Sequence, residues 1–288
     1  GGWWPVDPVD AASPSGRSKM ITRPGHLATC ISALIALFLL MPLIAVIPVS
    51  FTPNRYLSLP DGDWSLRHYR ALLENPAWIK GVGLSIGIGA VSSVLATSLA
   101  LAFSLGIWIL RPRYTGVLMG IALLPMVAPP VVSALTLYFF LITLSKFNSF
   151  IAYDTWAGVA LAHSVMIAPY AVVLISVALA QVDRRIDLAA RGMGAGLLLR
   201  VRSIILPNIR FGLISALLLT FVLSWEEIGV TLFITSVNAV TLPRLMWMGL
   251  RDNIDPAIAA ISVTLIFIVV TVTLGKTLWQ SRKGKLSK

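Results

Sequence analysis

Six long apolar stretches constrain this chain more than anything else in its sequence: residues 27–49, 82–110, 116–144, 156–181, 211–234 and 258–279. A helix needs about 20 apolar residues to cross roughly 30 Å of hydrocarbon. In lipid, every backbone polar group must be satisfied within the segment or in a closed barrel. Each stretch is long enough, so the expected fold is an all-α membrane protein with six transmembrane helices. Only 12% of the 288 residues are charged, about half the usual share in a soluble domain. The first stretch is too long for the apolar core of a signal peptide and has no small-residue cleavage site after it, so it reads as a helix.

Charge sets the expected orientation. With six spans both termini share a side. The N-terminal tail, the 111–114 turn, the 182–210 loop and the C-terminal end carry sixteen of the 23 Lys and Arg, against seven on the other side. Cationic loops stay in the cytoplasm, so both termini and the 182–210 loop are expected there. The formal charge of +11 needs no nucleic acid, because the basic residues flank helices rather than gathering on one soluble face.

Residues 26–281 form the expected membrane domain, followed by a basic tail, 282–288, with Arg282, Lys283, Lys285 and Lys288 suited to lipid headgroups. Residues 1–25 form a cytoplasmic tail, rich in Gly, Pro and Ser up to about residue 19 and without periodicity, expected to be poorly ordered. Met20 would serve as a natural start, with the residues before it foreign to the protein. The longest segments between spans are about 30 residues, too short for an independent core. No phosphate-binding G-x-x-x-x-G-K-[ST] and no H-E-x-x-H occurs. Three scattered histidines and the lone Cys30 make neither a metal site nor a disulfide. The chain is therefore expected to be no enzyme and to hold no cofactor or metal itself.

The loop between the fourth and fifth spans is too structured for a simple connector. Residues 187–207 read as two short helices joined by a turn, with Arg191, Arg200 and Arg202 on them and Arg185 just upstream. Small Ala189 and Ala190 permit close approach by another protein. Gly194 permits a backbone conformation that other residues resist. Pro207 is expected to interrupt the second helix just before the fifth span.

These residues resemble the inner-membrane permeases of binding-protein-dependent ABC importers, whose mark is E-A-A-x-x-x-G-x(9)-I-x-L-P. Ala189, Ala190, Gly194, Ile204, Leu206 and Pro207 match; Leu188 stands where that family has Glu, with Asp187 just before it. Further pieces resemble the second permease of the polyamine (spermidine/putrescine) branch. They are Ser65-Leu66-Arg67-His68-Tyr69, Ala162-His163, Pro169-Tyr170, Ser224-Trp225-Glu226-Glu227, Thr241-Leu242-Pro243 and Asp255-Pro256. The resemblance implies a type I importer permease (MetI-like) fold in a bacterial inner membrane. It implies a second permease, with the path between the two, and a periplasmic or lipid-anchored substrate-binding protein. It also implies a cytoplasmic ATPase dimer that binds ATP and Mg²⁺ and docks on Asp187, Ala189, Ala190, Arg191, Gly194, Arg200, Leu206 and Pro207. The solute would be small and polyamine-like. Another small organic solute, such as an amino-acid derivative, fits the same family, and an ATP-independent channel or secondary transporter is the rival class.

Glu226 and Glu227 carry the sharpest chemistry. Fifteen helical steps from Phe211 put Glu226 about 22 Å into the fifth span, in its outer half. A carboxylate at that depth costs at least a few kcal/mol unless it faces a bundle interior or an aqueous cavity. On one continuous helix the two side chains point about 100° apart, so they are expected to face different spaces. They are either part of a cation path or a structural pair bonded to neighbouring helices. Trp225 is a candidate for stacking on a cation or for an interfacial anchor. His163 is a candidate path residue or a cross-helix hydrogen-bond partner. Tyr170 beside Pro169 offers a hydroxyl at a kink. Pro129-Pro130 should break or kink the third span, as a broken helix that lines a path or, more simply, as a packing kink, and Gly83 with Gly87 forms a G-x-x-x-G expected to mark close helix contact.

Overall fold

The structure is a computed structural model that describes residues 25–252 and 255–286. The tail at 1–24 with Met20, and the side chains of the basic tail 282–288, lie outside the described residues. All regular structure among the described residues is helical. Among the described residues five helices are long and apolar enough to span a membrane, and a pair bent at a short break passes the same test only when taken together, as a broken span or a re-entrant loop.

α1 (His26–Val49) and α12 (Ala257–Leu286) pack on each other at the edge of the bundle. α2 (Arg67–Glu74) is a short amphipathic helix resting on α3 (Pro76–Leu110) and α12. The centre is α3, α6 (Trp156–Ala180) and α9 (Leu206–Glu226), which pack against one another more closely than any other elements. α3 starts six residues before the expected span, because Asn75 caps it through the Ala77 amide (3.0 Å) and Pro76 suits a first helical turn.

Small residues bring the central helices together. α3 buries Gly81, Ser85, Gly89, Ser92, Ser93, Ala96, Thr97 and Ala100. These lie three or four apart and form one face. The Ser92 hydroxyl donates to the Ala160 carbonyl of α6 (3.0 Å), and Thr97 meets Thr220 of α9 (3.3 Å). Gly212 of α9 sits so tightly on Ala178 of α6 that a Cβ there would overlap it. The expected contact at Gly83 and Gly87 is not made: both are exposed, with open space where a Cβ would stand. Two residues along a helix is a turn of about 200°, so they face away from the Gly81–Ser85 side that packs.

Two spans are broken. The third divides into α4 (Thr115–Val127) and α5 (Pro130–Leu144), bent by 97°. Pro129 and Pro130 have no amide hydrogen to continue the helical ladder, so the expected kink becomes a corner. The fifth stops at Glu226, and Glu227 is extended (φ −68°, ψ 113°). A single turn, α10 (Thr231–Ile234), and a loop lead to α11 (Leu242–Asp252). The fifth span therefore does not run as one helix to residue 234.

Candidate functional site

The two breaks meet at a cavity of about 610 Å³. Pro125–Pro130 of the corner form one wall, Met166, Ile167 and Tyr170 of α6 another, and Leu223 and Glu226–Gly229 a third. Met166 to Tyr170 lie at the middle of α6. Ser224 is level with His163, seven residues from the Trp156 end, so the carboxylates enter from the far half, as the helical rise predicts.

Glu226 and Glu227 both border this cavity, contrary to the expectation that they face different spaces. The 100° offset holds only on a continuous helix, and Glu227 has left the helix. Their surroundings still differ. The Glu227 carboxylate accepts from the Val230 amide (2.9 Å), and its carbonyl accepts from the Thr231 hydroxyl (3.0 Å). Glu227 thereby caps α10. Glu226 is exposed to the cavity and makes no hydrogen bond or ion pair among the described residues. The start of α5 borders the same space, and the partial positive charge of a helix N-terminus favours an anion there.

Tyr170 lines the cavity as a pathway residue should. His163 and Trp225 do not. His163 is 1% exposed, and its ring nitrogens meet Ser224 and Thr231 at 2.9 Å each. It clamps α6 to both sides of the break at residue 227. Trp225 points to the opposite side of α9, stacks on Phe221 (6.3 Å between centroids) and packs with Trp78, Leu242 and Ile258. It is one helical step from Glu226, about 100° of helix, which takes it out of the cavity.

At the other end of the bundle, α7 (Arg184–Gly192) and α8 (Leu197–Arg200) form the paired helices expected there. Their turn is a Schellman closure: the Ala195 amide donates to Ala190 O, and the Gly194 amide to Arg191 O, both at 3.0 Å. Gly194 has φ +82°, a left-handed conformation that disfavours any residue with a Cβ. Asp187 and Arg200 are buried and bound to each other by two contacts, Nε–Oδ1 at 2.8 Å and Nη2–Oδ2 at 2.9 Å. They fix α7 to α8 rather than offering charge outward. Ala190 is buried, whereas Ala189 and Arg191 are exposed. Apolar side chains also stand exposed here, Leu188 at 60%, Met193 at 82% and Leu198 at 80%.

Pro207 does not interrupt the second helix. A π turn at Val201–Ile205 joins α8 to α9, and residues 197–226 run as one 30-residue helix. In the wide turn the Leu206 amide reaches back to Val201 O, and Pro207 then falls at the first turn of α9, where a missing N–H costs little.

One anchor carried no sequence signal. Asp154 has φ 56° and accepts from the amides of Ser236, Val237, Asn238 and Ala239 at 2.7–3.3 Å. Partial burial pushes its pKa up, but these hydrogen bonds outweigh that and leave it below the ordinary 3.8. A single aspartate in a polar loop cannot announce four amide partners more than 80 residues away.

The family described as "Binding-protein-dependent transport system inner membrane component" matches residues 98–282. The putrescine transport system permease protein PotI of Escherichia coli (strain K12) is 30% identical over 80% of this chain and 82% of its own length. A probable molybdenum ABC transporter permease of Haloferax volcanii is 30% identical over 66% and 74%. The spermidine/putrescine transport system permease protein PotC of Haemophilus influenzae is 26% identical over 80% and 87%. Two solved structures share the fold. A bacterial ABC transporter involved in import of the acidic polysaccharide alginate has TM-score 0.63 at 15% identity, covering 89% of this chain and 94% of that one. The methionine transporter MetNI, in an inward-facing form, has TM-score 0.57 at 18% identity, covering 70% and 94%.

Proposed function

Because this chain belongs to the family of binding-protein-dependent transport system inner membrane components, we propose that it forms half of the path for a small polyamine-like cation, with Glu226 as the carboxylate that meets the solute. The chain is a multi-pass membrane permease subunit of an ABC importer. A second permease supplies the other half of the path. An ATPase dimer binds ATP and Mg²⁺ and seats on α7 and α8, and this chain holds no cofactor and hydrolyses nothing. A substrate-binding protein delivers solute to the far side. The excess of Lys and Arg on the α7 side supports a cytoplasmic position for that side.

The observation that carries the solute reading is the contrast between the two carboxylates. Glu227 is spent on capping α10, whereas Glu226 stands uncommitted at a cavity between two broken helices. An intramembrane carboxylate is retained at a cost of a few kcal/mol, and a passing cation would offset that cost. Putrescine and spermidine appear in the names of PotI and PotC, which supports the same class of solute.

Glu226→Gln tests this. Radiolabelled putrescine uptake into vesicles holding the whole transporter should fall by about tenfold or more, the worth of a charge-assisted hydrogen bond, while the subunits still co-purify. Glu227→Gln should reduce the thermal stability of the complex more than its uptake per assembled complex. Unchanged putrescine uptake in the Glu226→Gln transporter would remove Glu226 from solute recognition.

A further inference from the structure

A second polar site lies on the α7 side, far from the carboxylates. It is a cavity of about 190 Å³ bordered by Trp108 and Arg111 at the end of α3 and by Arg184, Asp187, Leu188 and Arg191 of α7. Three guanidinium groups therefore surround one small space. The one carboxylate beside them, Asp187, is already held by Arg200, so it does not neutralise them. Arg184 sits over the Trp108 ring, 5.0 Å from its centroid, which holds that cation in place. The Trp108 indole N–H has no acceptor among the described residues, although the residue is only 8% exposed. A buried donor left without an acceptor costs about 1–3 kcal/mol. Three arginines therefore line this chamber, and its one carboxylate, Asp187, is already paired.

The adjoining space says what kind of anion. A second cavity of about 290 Å³ shares Trp108, Arg111 and Arg184 with the first and continues between α3, α4 and α6, past Ile107, Met119 and Leu179. A charged chamber thus adjoins a mostly apolar one across these shared residues. α3 ends at Leu110, α6 at Ala180, and α4 begins at Thr115, so the shared residues stand where three spans leave the bilayer. Basic pockets between helices at that level suit lipid phosphates.

We propose that Arg111, Arg184 and Arg191, with the Trp108 ring holding Arg184, form a phosphate site for an anionic phospholipid of the adjacent leaflet, with an acyl chain in the cavity beside Met119. The apolar chamber favours a lipid over a free phosphate or an acidic side chain of a docked protein. Such a lipid would brace the base of α7 against α3 without touching the exposed apolar tip at Leu198. The proposal rests on the chain spanning a membrane, not on which solute it carries.

Native mass spectrometry of the whole transporter, titrated with phosphatidylglycerol, phosphatidylcholine or inorganic phosphate, tests the site. One phosphatidylglycerol per chain should survive dilution, and the other two probes should bind at least tenfold more weakly. Arg111→Gln, Arg184→Gln and Arg191→Gln should each weaken phosphatidylglycerol roughly fivefold, as about 1 kcal/mol per cation requires. Arg202→Gln, an exposed arginine outside the cavity, should change nothing. Three results would overturn the proposal. Arg202→Gln could weaken binding as much as Arg184→Gln does. Inorganic phosphate could displace the lipid at equal concentration. Arg184→Gln could lose the ATPase while keeping the lipid, which would make the occupant a protein carboxylate.

Discussion

Asp187→Ala should loosen α7 while leaving the membrane bundle intact. The Arg200 guanidinium is 7% exposed and Asp187 8%, and their two contacts are 2.8 and 2.9 Å. Removing one member of a buried pair leaves an uncompensated charge and costs about 3–5 kcal/mol. The pair joins α7 only to α8, so the loss falls on local opening of α7 rather than on the spans. Taking the lower figure of about 3 kcal/mol, α7 should open roughly 150-fold more often. Hydrogen exchange reads this directly. Amides of α7 should lose about two decades of protection, while α3 and α6 keep theirs. Asp187→Leu with Arg200→Met removes both charges and fills the space with apolar atoms, which is often neutral for a buried pair. Most of the protection should therefore return in the double variant. If α7 exchanges as slowly in Asp187→Ala as in the parent, or the double variant is as loose as the single, the pair does not hold the two helices together.

Four further expectations test other joints. Gly194→Ala should destabilise the α7–α8 turn by about 1–2 kcal/mol, because φ +82° crowds a Cβ. Gly194→Asn should cost less, and retention of the ATPase on the purified permease ranks the two. Gly158→Ala should lower the melting temperature of the complex sharply, since a Cβ there would overlap the Ala152 carbonyl oxygen. Gly83→Ala and Gly87→Ala face open space and should stay within about 0.5 kcal/mol of the parent in the same fluorimetric assay. Asp154 supplies a pH dependence outside the spans. Its folded pKa is depressed, so its contribution is present above the unfolded value of about 3.8 and is lost as pH falls through the lower folded value. Limited proteolysis of the 235–241 loop should therefore be slow at pH 5 and accelerate below about pH 3.8, whereas Asp154→Asn should be cut readily at both.

Much of this architecture is legible before any coordinates. Apolar length alone locates five spans and the bent pair after the second, because the bilayer sets one length scale for every helix. Gly194 is legible because a left-handed turn has so few residues that suit it. What periodicity cannot supply is rotation. The G-x-x-x-G at 83–87 has the right spacing and the wrong face, since the packing stripe at Gly81, Ser85 and Gly89 has the same period, offset by two residues. Partnership is equally hidden. Glu226 and Glu227 are chemically identical neighbours, and only the chain's departure from helix after Glu226 makes one a cap and leaves the other free. The same departure separates His163 from the cavity, because its partners Ser224 and Thr231 lie on either side of the break. The effect of proline depends on its neighbours. Two in succession at 129–130 make a corner, whereas one behind a π turn at 207 makes no break at all.

The uninterrupted run through Pro207 has a mechanical consequence. Residues 197–226 form one helix, about 45 Å long at 1.5 Å per residue. One end carries exposed Leu197, Leu198 and Leu199, and the other ends on Glu226. No loop lies between them to absorb a displacement. The weak point is the π turn at 201–205, a kind of distortion at which helices bend. Roughly 35 Å of helix extends from that turn to Glu226, so a tilt of about 10° there would carry the carboxylate some 6 Å. A shift of that size is comparable to the width of the cavity wall it borders. The His163 clamp to Ser224 and Thr231 would drag α6 and the corner of the third span with it. A tilt at the π turn would therefore reshape the space beside Glu226.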